Sequence, residues 1–423
     1  MNIFKQLQKY SWLIKALLKT DLKTKKELLK SYRQRKKYYF KDDFNADLKK
    51  LVYCMNCPNM CRFDCPVVET SKNESHSPAT KARIAYFLEL DVLEKTPENL
   101  MPIFEGCLHC YACQMWCPFD FSVGELLEDV YSDLLAEQAI PDEISEFVER
   151  IHVNEGLYPE EKYRITESMR EKLHSGSTYF FSGCVTKTNY PQVIKNVIKI
   201  SEKIENPMQT NFEEQKCCGA PAIYSGDFEE ARKLAKTNIE MFKANGIKEI
   251  VCECPECAYT LKNLYREKLG LAFEIPVYHI IEWLYKKIEK KDISIRSKSE
   301  KGNPYTPFPV SYHDPCILVR KLNVIREPYF FLKKLFGKNF NEINYSRFDT
   351  NCCGYGGVVN IVNPDLASNI SKKRLKEFLD KGIKTIVTTC PTCHYSFMKN
   401  NIEMEFEIVD LIELLGESIY LKK

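Results

Sequence analysis

Two stretches of the chain lie over one another: GIKEIVCECPECAYTL, Gly246–Leu261, and GIKTIVTTCPTCHYSF, Gly382–Phe397. Each reads glycine, a short β-branched run, then Cys-Pro-x-Cys. The overlap extends outward. VYHIIEWL (277–284) falls over IVDLIELL (408–415), and YFFSGCV (179–185) over SYHDPCIL (311–318). Each copy also carries a Cys-Cys-Gly, in KCCGAPAIYSGDFEEARK from Lys216 and in NCCGYGGVVNIVNPDLASNISKK from Asn351. Self-similarity of this kind marks a duplicated structural unit.

Each copy spaces five cysteines alike. The first runs Cys184, x32, Cys217-Cys218, x35, Cys254-x2-Cys257; the second runs Cys316, x35, Cys352-Cys353, x36, Cys390-x2-Cys393. Cys252 falls over Thr388 and is expected to be a small buried residue near the site. A strand is predicted to lead to each early cysteine. A helix is predicted from Asp227, with Glu230 completing a capping box, and another from Asn363, with Pro364 as its first residue. Gly246 and Gly382 are expected to end these helices. EIVCE and TIVTT read as buried strands. Cys-Pro-x-Cys then stops each strand and opens a helix, whose N-terminus favours thiolates. The copies are thus two tandem homologous α/β domains, 177–290 and 310–420, with a lysine-rich linker at 291–309.

The remaining motif cysteines precede the repeats. Cys54, Cys57, Cys61 and Cys65 form one run and Cys107, Cys110, Cys113 and Cys117 another, each followed by proline. The second matches C-x2-C-x2-C-x3-C-P, the bacterial ferredoxin run, whose fourth cysteine serves the other cluster. Cys65 is therefore expected with Cys107, Cys110 and Cys113, and Cys117 with Cys54, Cys57 and Cys61. The first run departs by one residue between Cys57 and Cys61. Zinc would not favour two four-cysteine runs each closed by Cys-Pro. TKARIAYFLELDVLEK and VGELLEDVYSDLLAEQ space apolar residues at three and four. Residues 51–150 thus read as an α-helical ferredoxin domain with two cubane 4Fe–4S clusters. Trp116 is expected to pack beside Cys117.

Composition fits these readings. At 423 residues the chain exceeds a single core. Nineteen cysteines, an odd number, suit metal or redox sites better than full disulfide pairing. The N-terminus interrupts its apolar residues with lysines, unlike a signal peptide, and no apolar run is long enough to span a membrane. A cytoplasmic protein is expected, peripheral at the inner face of the membrane at most. Residues 1–50 carry 15 Lys/Arg and 5 Asp/Glu, a charge of +10; the whole carries +3, so the body carries −7. That balance argues against nucleic acid as a partner. Phe4, Leu7, Ile14, Leu17 and Leu18 form an apolar stripe on a basic amphipathic helical arm, 1–50. The arm suits a partner subunit, an anionic membrane surface or the chain's own acidic body. No G-x-G-x-x-G occurs, so no flavin or nicotinamide site is expected on this chain.

The ten-cysteine pattern resembles the CCG family at the spacing of heterodisulfide reductase catalytic subunits. The D-type subunit, a two-cubane ferredoxin domain fused to two CCG domains, is similar to residues 50–420. The resemblance implies a non-cubane 4Fe–4S cluster on Cys184, Cys217, Cys218, Cys254 and Cys257, and another on Cys316, Cys352, Cys353, Cys390 and Cys393. These ten would be catalytic. Five thiols per set suggest an opened cluster in which a cysteine bridges irons, and adjacent cysteines can reach two irons if the backbone bends sharply. Zinc, a plain cubane or a structural role are the alternatives. The implied reaction reduces a disulfide, the coenzyme M–coenzyme B heterodisulfide in that family, to two thiols. Electrons would come from a membrane cytochrome b or a flavoprotein subunit. The main alternative is an electron-transfer subunit of a lactate-, glycolate- or glycerol-3-phosphate-type dehydrogenase passing electrons to quinone; a non-catalytic wire or scaffold is another. His313 and Asp314 suit either bonds to cluster sulfurs or a core role. His394 is a candidate proton donor to a product thiolate, and His279, which falls over Asp410, is expected to cap a helix.

Overall fold

The computed structural model describes residues 19–39, 45–290, 293–296, 309–402 and 406–421. The N-terminal apolar stripe lies outside these. A helix, Leu22–Tyr39, follows, with Asp21 accepting from the Thr24 amide at 2.9 Å.

Residues 48–154 form helices and turns. Proline opens three helices, Pro66–Ser71, Pro78–Glu89 and Pro97–Phe104, where its missing N–H costs nothing. Pro78–Glu89 packs on Val123–Ala136, whose Ser122 side chain accepts from the Gly124 amide. Leu88, Phe104, Leu127 and Tyr131 are buried between them.

The repeats fold as the alignment requires. In the first, β1 (Thr178–Phe181), β2 (Met208–Gln209), β3 (Glu249–Cys252) and β4 (Val277–His279) form a parallel sheet in the order β2-β1-β3-β4. Strand β5 (Ile293–Ile295) follows. In the second repeat, β6 (Val310–Tyr312), β7 (Thr385–Thr388) and β8 (Glu407–Asp410) form the parallel order β6-β7-β8. Strand β9 (Ile419–Leu421) runs antiparallel to β5. Residues 293–295, expected within the linker, are thus a strand tied to the C-terminal end. Helices sit between the strands, as parallel pairing demands.

The predicted helix boundaries hold, with one detail changed. Asp227 caps Phe228–Ala244 by accepting from the Glu230 amide at 3.0 Å, but the Glu230 carboxylate bonds Lys233 instead of closing a capping box. Asn363 caps Pro364–Leu379. Gly246 and Gly382 follow in the left-handed region.

One apolar core runs through both repeats, joining Phe180, Val251 and Ile194 to Val387, Val409 and Leu415. Two polar contacts cross the same interface with approximate two-fold symmetry. Glu253 and Thr389 are equivalent positions, as are His279 and Asp410. The Glu253 carboxyl meets that of Asp410, and Thr389 Oγ1 lies 3.1 Å from His279 Nε2. Burial pushes Asp410 up to about 8 and Glu253 well above the usual carboxylate range. His279 Nδ1 accepts from the Ile281 amide, and Asp410 from that of Ile412. His279 therefore caps a helix, as expected.

Candidate functional site

The Cys-Cys-Gly loops start from backbone geometry. Gly219 and Gly354 have φ of 93° and 91°, a region costly to residues with a Cβ. The turn lets adjacent thiols point into one set. Cys218 accepts from Cys217 and Cys257, which pull it down to about 6. Cys353 accepts from Cys352 and Cys393 and is drawn well below the usual thiol range. The second cysteine of each pair thus stands at the centre of its set. Cys184 meets Cys217, and Cys316 meets Cys352. Cys254 and Cys390 each stand at a helix N-terminus, with proline as the first helical residue.

The two sets face each other. Cys254 touches Cys390 across the repeat interface. All ten repeat cysteines line one cavity with about 1120 Å³ of empty space, its mouth included. Phe147 and Leu157 close one wall and Tyr355 to Ile361 another. Glu256, hydrogen-bonded by the Tyr224 hydroxyl, also faces the cavity, and burial pushes its carboxyl up to about 8. Cys252 is buried near Cys254 and Cys218 and does not line the cavity.

The ferredoxin-like cysteines gather around two cavities. One is lined by Cys54, Cys57, Cys61, Cys117 and Cys113. A second is lined by Cys65, Cys107, Cys110 and Cys113. Lys81 is 1% exposed beside the second, and its ammonium donates to the Gly106 carbonyl. Burial works against this charge, and Cys107, Cys65, Cys113 and Cys110 outweigh it, so its pKa is raised. Among the described residues no three His, Cys, Asp or Glu side chains converge on a single-ion site. The thiols instead wall cavities, a donor set that fits iron–sulfur clusters.

The four sets lie in series. Cys61 neighbours Cys65 and Cys113, Cys110 hydrogen-bonds with Cys352, and Cys254 with Cys390. The Cys110–Cys352 junction depends on the second repeat's extra glycines. A Cβ on Gly356 would lie 2.2 Å from the Leu108 carbonyl oxygen, and one on Gly357 2.6 Å from that of Cys107. Arg320 ties the same loops, donating to the carbonyls of Cys110 at 2.8 Å and Thr350 at 2.6 Å. The first repeat has Pro221 and Ala222 where the second has this glycine pair. That contrast, GAPA against GYGG, marks the second repeat's close backbone approach to Leu108; the first repeat meets the same loop through side chains, Tyr224 on His109 with ring centroids 4.4 Å apart.

Other expectations need adjustment. Asp314 accepts from the Tyr329 hydroxyl at 2.8 Å and the Arg347 amide at 2.9 Å, and Arg374 donates to His313 Nδ1 at 3.2 Å. Among the described residues His313 Nε2 and Asp314 Oδ1 are buried without a protein partner, so these contacts do not separate the core reading from bonds to cluster sulfurs. His394 is buried, stacks on Tyr190 with ring centroids 4.2 Å apart, and does not line the cavity. Burial lowers its pKa to about 4, and its ring lies against Tyr190 and not on the cavity wall. Trp116 is 55% exposed and stands at the rim of the first ferredoxin-like cavity instead of packing inside. Tyr53, Met60, Phe63, Met115 and Phe119 of the same segment are exposed too. All four cysteines of this quartet are partly exposed. Among the described residues no helix is long and apolar enough to cross a membrane.

Comparison with known proteins agrees with this division. The family model described as cysteine-rich domain, CCG, matches residues 178–262 and 310–398, and the 4Fe-4S dicluster domain matches 50–121. The chain is 26% identical over 333 residues to the D subunit of dihydromethanophenazine:CoB–CoM heterodisulfide reductase from Methanosarcina acetivorans, covering 74% of this chain and 77% of that one. It is 26% identical over 391 residues to the B subunit of fumarate reductase (CoM/CoB) from Methanothermobacter marburgensis, covering 87% and 72%. It is 27% identical over 248 residues to the C subunit of anaerobic glycerol-3-phosphate dehydrogenase from Escherichia coli, covering 56% and 59%.

Proposed function

We propose that this iron–sulfur protein, one 4Fe-4S dicluster domain joined to two CCG domains and similar to the D subunit of heterodisulfide reductase, reduces a disulfide to two thiols. The observation that carries the reading is the single cavity walled by all ten repeat cysteines. Cys54, Cys57, Cys61 and Cys117 would hold one cubane cluster, and Cys65, Cys107, Cys110 and Cys113 the other. Cys184, Cys217, Cys218, Cys254 and Cys257, and Cys316, Cys352, Cys353, Cys390 and Cys393, would hold one non-cubane cluster each. When bound, such clusters store and transfer single electrons.

The chain's own residues supply the rest. The partly exposed first quartet and its exposed apolar rim, Met60, Trp116 and Phe119, support docking of a redox partner protein there. The serial order of the four thiol sets supports electron entry at that end and chemistry at the other. The largely apolar wall of the cavity limits water around the breaking S–S bond. In the net reaction that bond breaks, and each sulfur takes one electron and one proton.

Anaerobic iron and acid-labile sulfide analysis of the purified protein tests the cofactor set. Four clusters of four predict about sixteen irons per chain. Stoichiometric zinc with about eight irons would remove the repeats from the proposal.

Lys81 sharpens the assignment of the second cubane. A four-thiolate cluster gains negative charge on reduction, and a buried ammonium favours that state. Lys81→Met is expected to shift the second cubane to a more negative potential by more than it shifts the first, because Lys81 acts mainly on Cys107, Cys65, Cys113 and Cys110 and less on Cys54, and to be restored by Lys81→Arg. A redox titration followed by EPR separates the two.

A further inference from the structure

The two thiol sets differ in the charge that stands beside them. Lys187 follows Cys184 on the short helix Cys184–Asn189 and is 2% exposed. Its ammonium donates to the Gln215 carbonyl at 3.5 Å and lies 4.1 Å from the Tyr163 ring centre. The negative charges that favour it are, largest first, those of Cys184 and Cys217, then Glu160 and Cys257. The thiols among these all belong to the first repeat's set. When Cys184 is laid over Cys316, Lys187 falls over Val319, which is buried and apolar. The second repeat has a buried cation of its own, Arg374, which falls over Asn238 when the helix caps Asp227 and Asn363 are aligned. Glu377 pairs with that guanidinium, which also meets His313 Nδ1 at 3.2 Å. Arg320, on the same repeat, faces Cys110 of the dicluster domain.

A thiolate-held cluster gains negative charge when it takes an electron. A buried ammonium beside it stabilises that state, and does so more strongly than a surface one because little water screens it. The effect falls with distance, so it acts on the first repeat's set above the second's. The dicluster domain meets the second repeat at Cys110–Cys352, and the two repeats meet at Cys390–Cys254. Lys187 stands beyond that second junction, beside Cys184 and Cys217.

We propose that Lys187 biases the electron shared by the two repeats toward the first repeat's five-thiol site, so that the halves of the duplicated site take different parts in the reaction. This rests on the reading that both repeats hold iron–sulfur clusters, and adds a division of labour between them. The step moves one electron: the second site is oxidised by one, the first is reduced by one, and no bond or proton changes hands. The electron comes from a redox partner protein, replaced by dithionite in the test. Lys187 is a positioning residue for charge; it acts through the thiol set and does not line the cavity.

An anaerobic dithionite titration of the cluster-loaded full chain at constant pH, followed by EPR, reads how an electron divides between the repeat sites. Cys218→Ala and Cys353→Ala each remove the central thiol of one set and so identify which signal belongs to which repeat; signals that persist in both belong to the cubanes. Lys187→Met is expected to lower the first site's share relative to the second by at least about tenfold, which is about 59 mV for a one-electron site. Lys187→Gln, neutral but polar, is expected to do the same, and Lys187→Arg to restore the original division. Glu253 and Glu256, which also belong to the first repeat, are common to every variant and cancel in the comparison. An unchanged division in the Met and Gln variants, with both repeat signals present, overturns the inference and leaves the cluster reading standing. Loss of the first repeat's signal in both neutral variants makes Lys187 a structural residue and overturns the inference as well. No repeat signal in the unmodified chain, with about eight irons, overturns the cluster reading and the inference together.

Discussion

Cys353→Ala abolishes disulfide reduction, to the uncatalysed background, and leaves the two cubanes of the dicluster domain reducible by dithionite. Cys353 is buried, accepts hydrogen bonds from Cys352 and Cys393, and lines the shared cavity. Its loss removes the thiol at the centre of its set. The cubane cysteines all come from residues 54–117 and line separate cavities, so their assembly does not require it. Cys252→Ala is the matching control: also buried, outside the cavity, and expected to cost a little stability without loss of activity. Anaerobic thiol release and the visible spectrum after dithionite measure the two properties independently. Loss of the cubanes in Cys353→Ala would contradict the separation.

Gly356→Val parts the dicluster loop from the second repeat. The added Cβ would stand 2.2 Å from the Leu108 carbonyl oxygen, a backbone atom that moves only with its loop. Overpacking of this kind costs roughly 1–3 kcal/mol, and here the strain falls on the Cys110–Cys352 junction. The expected result is a protein with its iron largely retained, a lower unfolding temperature, and slow electron passage from the dicluster domain to the repeats. Rapid-mixing reduction followed by freeze-quench EPR reads that passage. Pro221→Val, at the equivalent position of the first repeat, is the control, and passage there should stay near its original rate.

Much of this is readable from residue order. The duplication, the strands β3 and β7 and the helix caps Asp227 and Asn363 follow from β-branched runs and capping residues. The interleaving of the first eight cysteines follows from the reach of a short loop around one cluster. What spacing cannot supply is the docking of finished domains. That both repeats face one cavity depends on the interface through Glu253, Asp410, Thr389 and His279, which lie in different repeats and meet by tertiary packing alone. The β5–β9 pair is hidden because the alternation in Ile293-Ser294-Ile295 spans only three residues of a lysine-rich stretch. His394 reads as available because it follows a cysteine, whereas its helix turns it onto Tyr190. Trp116 reads as packing because large aromatic residues are mostly buried on average, whereas its loop lies at the surface.

The first quartet's exposed rim also fits an electron-carrying subunit with no substrate of its own, and similarity to part of a glycerol-3-phosphate dehydrogenase keeps that comparison concrete. The two readings part at the ten-cysteine cavity: disulfide reduction needs room for a substrate beside the clusters, and a carrier needs room for the clusters alone. The most direct measurement is reoxidation of the dithionite-reduced, reductant-free protein in a rapid-mixing spectrometer, with bis(2-hydroxyethyl) disulfide in one syringe and a short-chain quinone in another experiment. Disulfide reduction predicts fast reoxidation by the disulfide, two thiols for every two electrons removed, and loss of this reaction in Cys353→Ala. Fast reoxidation by the quinone, with no thiol formed from the disulfide, would contradict it.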